Sequence, residues 1–486
     1  MDFLLPFLFD IYIIKIERHL YGSVPMENKY YPLTPAQMTL FYAQKYSLLK
    51  SSNTICISCF FKREFDMKIL KEAMLELFNR HECLQIRIKQ KTKTEVFQYL
   101  DKTPPEIKFL DFSSKTEKAQ EKSISKFARK NYTKFGKPMF EITLAKSYDG
   151  YPGFVFAVSH VIMDSHAIFM LLHDIYNIYT ALEKGTVLPK APASYISVLE
   201  KDLQYKNTPA YENDMKFWTE QFSLPEPTYT DTLGPSVLEN YRKKKKDPTI
   251  KYVAHLDLLS LGRHSVHIIP AQEVKKIMDY CLEKHVSLQC LFTAALYIFL
   301  SKRNNGIDDI VINALNSRRG SYAEKTCGGT RVHVHNFRMN VPHDKKFSQF
   351  VVDVFENLIT MYKHMYFSPL EAMGLRRKMY NLPMGATYGL SAITVQTVAF
   401  PDNFVDFRAK WHSNGVATNP FYLSVMNMDK SGDLYCYYEY RTKYYSEDLI
   451  SSIHKYIMYI INKGISSDDI TIGEIIAKKH NKGQTQ

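Results

Sequence analysis

The sequence has no apolar run long enough to cross a bilayer. Its most apolar stretch, residues 3–14, is broken by Pro6 and Asp10, and a spanning helix needs roughly 20 such residues. A secretory leader is not expected on the same stretch, because such a leader wants a basic start and residue 2 is Asp2. Residues 1–25 are therefore expected to be an N-terminal extension to a soluble, cytoplasmic protein. Cysteine is sparse and odd in number, seven in 486 residues. That excludes a disulfide framework and fits a reducing compartment. Cys56 and Cys59 form a lone C-x-x-C. No second pair completes a zinc site, and the surrounding Ile55–Phe61 run predicts a buried strand. Internal repeats of 20–50 residues are missing, which excludes a solenoid. Helix-turn-helix, zinc-finger and RNA-binding signatures are missing too, so nucleic acid is not an expected partner.

What the chain has is aromatic bulk and positive charge. Its 34 Tyr and 30 Phe supply ample area for burial, and 63 Lys+Arg against 50 Asp+Glu give a formal charge of +13. The charge is dispersed. Its densest run, Arg242 to Lys246, reads as a solvated loop. A basic balance of this kind suits an acidic partner or a phosphate-bearing donor.

Strand-like and helix-like segments alternate along the chain. Thr34 and Pro35 predict the start of a helix over 35–49, and Asp66 caps another running to about Asn79. Short apolar segments at 140–145 and 154–158 read as central strands, followed by a strong helix over 166–183. Beyond residue 206, Pro225, Pro227, Gly234, Pro235 and the basic run mark an irregular linker over 206–250. Further mixed elements follow: helices at 271–284, 287–302, 347–363 and 446–462, with strands at 309–314, 392–398, 421–428 and 433–440. The fold class is α/β, with comparable lobes at 26–205 and 251–486.

One segment carries chemistry. Gly153 to His166 reads as a strand, a tight loop and a helix, with His160 at the strand end and Asp164 at the helix entrance. A neutral imidazole is the usual general base near neutral pH. A carboxylate at a helix start accepts backbone N–H groups and braces the loop. The bare His-x-x-x-Asp spacing arises about once by chance in a chain this size, and a packed histidine beside a capping aspartate is its bland reading.

The surrounding motifs carry more. The segment resembles the H-H-x-x-x-D-G core of nonribosomal peptide synthetase condensation domains, members of the His-x-x-x-Asp acyltransferase superfamily. Tyr31-Pro32-Leu33-Thr34-Pro35-Ala36-Gln37 resembles that family's opening motif, and Arg80-His81-Glu82-Cys83-Leu84 its R-H-E-x-L motif. Gly136 to Phe140, Phe217-Trp218, Val286 to Gln289, Ile312 to Arg319 and Phe367 to Glu371 are similar to further family stretches, in the same order. The resemblance spans about residues 30–465. It implies two chloramphenicol-acetyltransferase-like lobes in a V with a tunnel between them. It also implies that His160 is the catalytic position and that Asp164 is a structural residue paired with an arginine, Arg319 first and Arg318 second. Departures stand beside the motif: Ser159 replaces the first His, Ser165 replaces the Gly, Gln85 stands where Arg is common, and Gly328–Asn336 matches a G-x-F-x-N stretch poorly. Ser159 and Ser165 are taken as substrate-contacting positions.

The resemblance implies acyl transfer from a thioester on a carrier protein's phosphopantetheine arm to an amine or hydroxyl acceptor. No carrier segment accompanies it here, so the donor is expected in trans, with acyl-CoA as the alternative donor for an alcohol or lipid acyltransferase. A non-catalytic carrier-docking module is the third reading. No permanently bound cofactor, no metal and a monomer are expected. His166 and His173 share a helix face. His333 and His335 alternate on a strand-like stretch, and nothing in their spacing sets a ligand geometry. Ser159 and His160 point to opposite faces of a strand, which disfavours a nucleophile–base pair. The tyrosines between Tyr435 and Tyr445 read as sheet packing, with an acyl-chain lining as the alternative.

Overall fold

A computed structural model describes residues 30–92, 95–254, 259–400 and 404–477. The apolar stretch 3–14 and the extension 1–25 lie outside the described residues. Two large sheets organise the rest. The first has strand order Phe407–Trp411, Thr54–Phe61, Pro152–Ser159, Phe140–Lys146, Lys108–Asp111. Its neighbours are antiparallel except the last pair, which is parallel. The second has order His333–Asn340, Asp309–Asn316, Ser391–Gln396, Phe421–Met426, Leu434–Arg441, Gly262–Ile269.

The first sheet is covered on both faces, which explains its unbroken apolar strands. In Pro152–Ser159 every residue is buried. Phe154, Phe156 and Val158 face the core under the helices Met67–Arg80 and Ser165–Lys184, while Val155 and Ala157 face the helix Glu117–Ala128. The same alternation separates the C-x-x-C pair: Cys59 lies in one core and Cys56 in the other, because three residues along a strand reverse the face. The second sheet packs on Leu288–Arg303, a helix buried almost all round, together with Phe347–Lys363 and Glu447–Gly464.

The opening motif has a local physical basis. Tyr31–Pro32 pairs with Gln98 and Phe97. Thr34 caps the helix Pro35–Tyr46, and Gln37 closes the capping box. The buried amide of Gln37 then binds Gln98 at 2.9 Å. In the R-H-E-x-L motif, His81 meets Asp174 at 2.7 Å. Glu82 accepts from the Ser194 hydroxyl at 2.8 Å and the Ile196 N–H at 3.0 Å. Gln85 donates to the carbonyls of Phe78 and Asn79.

Two expectations need correction. The region 206–250 is not irregular throughout: it holds the helices Pro209–Ser223 and Ser236–Lys245. The first buries Asp214, Trp218 and Phe222, a narrow stripe masked by polar neighbours. The basic run is solvated but helical. Arg242 to Lys245 form the last turn, where cations oppose the negative end of the helix dipole, and Lys246 ends it at φ +55°. Of the tyrosines at the end of the chain, Tyr437 packs against the first core and Tyr438, Tyr440 and Tyr445 lie in the second. This is sheet and core packing, and none of the tyrosines from Tyr435 to Tyr445 lines the cavity described below. Among the described residues no helix is long and apolar enough to cross a membrane.

Candidate functional site

His160 follows the last residue of the central strand Pro152–Ser159. Its N–H donates to the Asn53 carbonyl at 2.6 Å, and its own carbonyl accepts from the Thr330 hydroxyl. Val161, Ile162 and Met163 are fully buried beneath it. The backbone is thus held from both sides while the half-buried ring lines a cavity of about 350 Å³. Burial lowers the imidazole pKa below its ordinary value. The Asp164 charge and the backbone of His160 and Met163 offset part of that. No well-formed hydrogen bond reaches the buried Nδ1. The ring is therefore neutral near pH 7 and can accept a proton.

Asp164 is the N-cap of the helix Ser165–Lys184, accepting the Ala167 N–H at 2.9 Å. It is fully buried and never reaches solvent. Arg319 Nη2 lies 2.9 Å from each of its oxygens, and the Arg331 N–H donates to it at 3.0 Å. Burial opposes its charge, but Arg319 and the two backbone donors outweigh it and hold the carboxyl below the usual carboxylate range. Arg319 also donates to the carbonyls of Glu324, Gly328 and Gly329. Arg318 goes elsewhere. It reaches Asp202 at 3.3 Å, and Arg331 reaches the same carboxylate at 3.0 Å. A strand would send consecutive side chains to opposite faces. Arg318 instead adopts φ +49° just after the strand Asp309–Asn316, and both arginines meet acids from the first part of the chain.

The remaining candidates separate clearly. Ser159 is buried, with its hydroxyl 2.7 Å from that of Thr133, and it does not line the cavity. Ser165 does, and it donates to Gln396 Oε1 at 2.6 Å, joining the helix start to the second sheet. His166 lines the cavity beside the Lys325 carbonyl, while His173 stacks on Phe404. His333 and His335 donate to the carbonyls of Met365 and Phe367 inside the second core, and burial pushes His335 down to about 3.

Several residues of the site escape sequence reasoning. Asn53, Thr330 and Arg331 act largely through backbone or short-range contacts. The available signal was the Gly328-Gly329 pair: both residues have positive φ, and a Cβ there would meet Cys83 or Tyr195 at 2.5 and 2.4 Å. Gln289 and Gln396 also line the cavity, and the Gln396 amide nitrogen is buried without a partner. The arrangement offers a proton acceptor and an unused donor in a half-enclosed cavity of mixed polar and apolar lining, which is what nucleophilic attack on an acyl carbonyl needs.

The family model of the condensation domain matches residues 27–477. The chain belongs to that family, whose members form peptide or acyl bonds. It is 24% identical over 462 residues to a plipastatin synthase of Bacillus subtilis (strain 168), covering 93% of this chain and 17% of that protein. It is also 24% identical to a surfactin synthase of the same organism, with 93% and 12% covered. The chain thus spans under a fifth of the length of these relatives. Among solved structures it resembles the starter condensation domain of rhizomide synthetase in complex with C8-CoA and Leu-SNAC, at TM-score 0.75 and 15% identity, covering 91% of this chain and 96% of that one. It equally resembles the first condensation domain of the calcium-dependent antibiotic synthetase in complex with a substrate analogue, at TM-score 0.75 and 17% identity, with 92% and 99% covered. The fold is that of condensation domains, with two chloramphenicol-acetyltransferase-like halves.

Proposed function

We propose that this chain joins an acyl or aminoacyl thioester, held on a carrier protein's phosphopantetheine arm, to an amine or hydroxyl acceptor. The observation that carries the reading is the neutral, half-buried His160 ring on the wall of a cavity of about 350 Å³, over a backbone braced on both sides. The acceptor nitrogen or oxygen attacks the thioester carbonyl as His160 takes its proton. The tetrahedral intermediate collapses, the carbon–sulfur bond breaks, and the proton passes to the departing thiolate. The unpartnered Gln396 amide is the donor available to the carbonyl oxygen. Asp164 and Arg319 hold the loop without touching the reactants. Holding both substrates in one cavity supplies much of the rate, since the encounter becomes effectively unimolecular.

Acyl-CoA is the second donor worth testing, because one similar structure holds C8-CoA and a +13 chain suits a phosphate-bearing donor as well as an acidic carrier. The seven cysteines are free and buried, in keeping with a cytoplasmic setting. The test supplies octanoyl-carrier protein and octanoyl-CoA in parallel, each with a mixture of amino acids and alcohols, and reads products by mass spectrometry. Product from the carrier donor, lost in His160→Ala, supports the proposal. Product from octanoyl-CoA alone replaces the carrier with a free donor. No product from wild type with either donor, alongside equal carrier binding by wild type and His160→Ala, makes the chain a docking module.

A further inference from the structure

A second cavity, of about 90 Å³, lies across the helix Phe347–Lys363 from the first. Asn357, Thr360 and Met361 line it, while Phe355, Leu358 and Tyr362 of the same helix line the His160 cavity. Its walls include the rings of Phe217, Trp218, Phe222, Tyr380 and Tyr388. Aromatic walls with a few placed polar groups are the usual make-up of a small-molecule site.

Two arginines enter this apolar space, and one has no counter-charge. Arg376 is only 8% exposed. Its guanidinium donates to the Asn336 side-chain oxygen and to the Ala386 carbonyl at 3.0 Å, while its Nε is buried without a partner. No carboxylate pairs with it among the described residues. Arg338, two residues beyond Asn336 on the same strand face, is held by Asp309 through two bonds of 2.6 Å, and its Nη1 is likewise buried and unpartnered. Glu226 accepts from the Tyr388 hydroxyl at 2.8 Å, and no ion pair joins it to either arginine among the described residues. A buried guanidinium is costly without an anion beside it, and burial accordingly draws the Arg376 pKa down.

We propose that this cavity is a binding site for a small carboxylate with a flat, apolar body, its charge taken by Arg376 and its ring held among the aromatic walls. The compact volume and ringed walls favour a carboxylate on a planar skeleton over a hydrated phosphate dianion. The site is separate from the acyl-transfer cavity, yet one helix forms a wall of both.

The experiment is isothermal titration of the full chain with phenylacetate, and with phenylacetamide as its neutral twin. One-to-one binding of phenylacetate, weakened about tenfold or more in the amide, is expected, since hydrogen bonds to a charged group are worth that much. Arg376→Met loses the preference for the acid. Thr360→Trp, at an exposed position on the lining, blocks both ligands without touching the buried arginine, and thermal melting verifies that it folds. Equal binding of acid and amide overturns the proposal. So does the absence of binding to wild type, or unchanged binding in Thr360→Trp, which would place phenylacetate elsewhere.

Discussion

The molecule contains the same local device twice. In the first sheet the strand Pro152–Ser159 is followed by four loop residues, the cap Asp164 and the helix Ser165–Lys184. In the second sheet the strand Leu434–Arg441 is followed by four loop residues, the cap Ser446 and the helix Glu447–Gly464. Both caps accept the N–H three residues on, from Ala167 and Leu449. The difference lies in the cover. The first loop lies against Arg319, Thr330 and Arg331 from the far part of the chain, and Asp164 is fully buried. The second loop leaves Thr442, Lys443 and Ser446 exposed. The strand–loop–helix unit that a second layer closes over carries the proposed chemistry, and the one left uncovered packs only the second core. A charged cap is tolerated in the buried loop only because Arg319 meets it.

The largest effect that tests this contrast is on turnover. His160→Ala is expected to slow condensation about 10²–10⁴-fold, the usual worth of a general base. Thr442→Ala, at the matching position of the second loop, leaves the rate unchanged. A single-turnover assay with a thioester donor reads both, and equal rates for wild type and His160→Ala remove the base from the mechanism.

Exchanging the caps comes next. Asp164→Ser copies the second loop into the first and strands Arg319 in the interior. Losing one partner of a buried pair costs about 3–5 kcal/mol, visible in urea unfolding as a lower midpoint.

Acid then separates the histidines by role. Burial depresses His335 to about 3 and His454 to about 4, with His267 adding to the latter, whereas the unfolded chain titrates near 6.5. Between the folded and unfolded values the unfolded state binds more protons. Their contribution to stability is full above the unfolded pKa and declines as pH falls toward the folded one. Going from pH 7 to pH 5 is expected to remove about 2 kcal/mol per histidine. His454→Phe flattens the dependence of melting temperature on pH, and an unaltered slope rejects the assignment.

The smallest effect belongs to Ser446→Ala. It removes an exposed cap and is expected to cost about 1 kcal/mol, several times less than Asp164→Ser. Comparable losses for the two variants erase the distinction between the loops.

Much of this was legible in local sequence. Thr34, Pro35 and Gln37 announce a helix start because a capping box needs only neighbouring atoms. His160 and Asp164 stand out because a strand, a loop and a helix meet within about a dozen residues. The strand Phe407–Trp411 was not legible: it crosses from the far part of the chain to pair with Thr54–Phe61, and nothing in its own pattern names that partner. Trp218 stood out as part of a family-like pair, but its partner was not legible for a related reason, since its indole donates to the His364 carbonyl 146 residues away.

Sequence alone determined most of the elements and the family resemblance, and it singled out His160 as the candidate histidine, because these depend on side-chain periodicity, capping and residue order over short distances. Only the tertiary structure decided which arginine neutralises Asp164, that Ser159 turns to Thr133 while Ser165 reaches Gln396, and that Arg376 is buried with no acid beside it. Each of these joins parts of the chain remote in sequence or hangs on one backbone angle. The electrostatic outcome follows from burial, and burial is a property of the assembled layers.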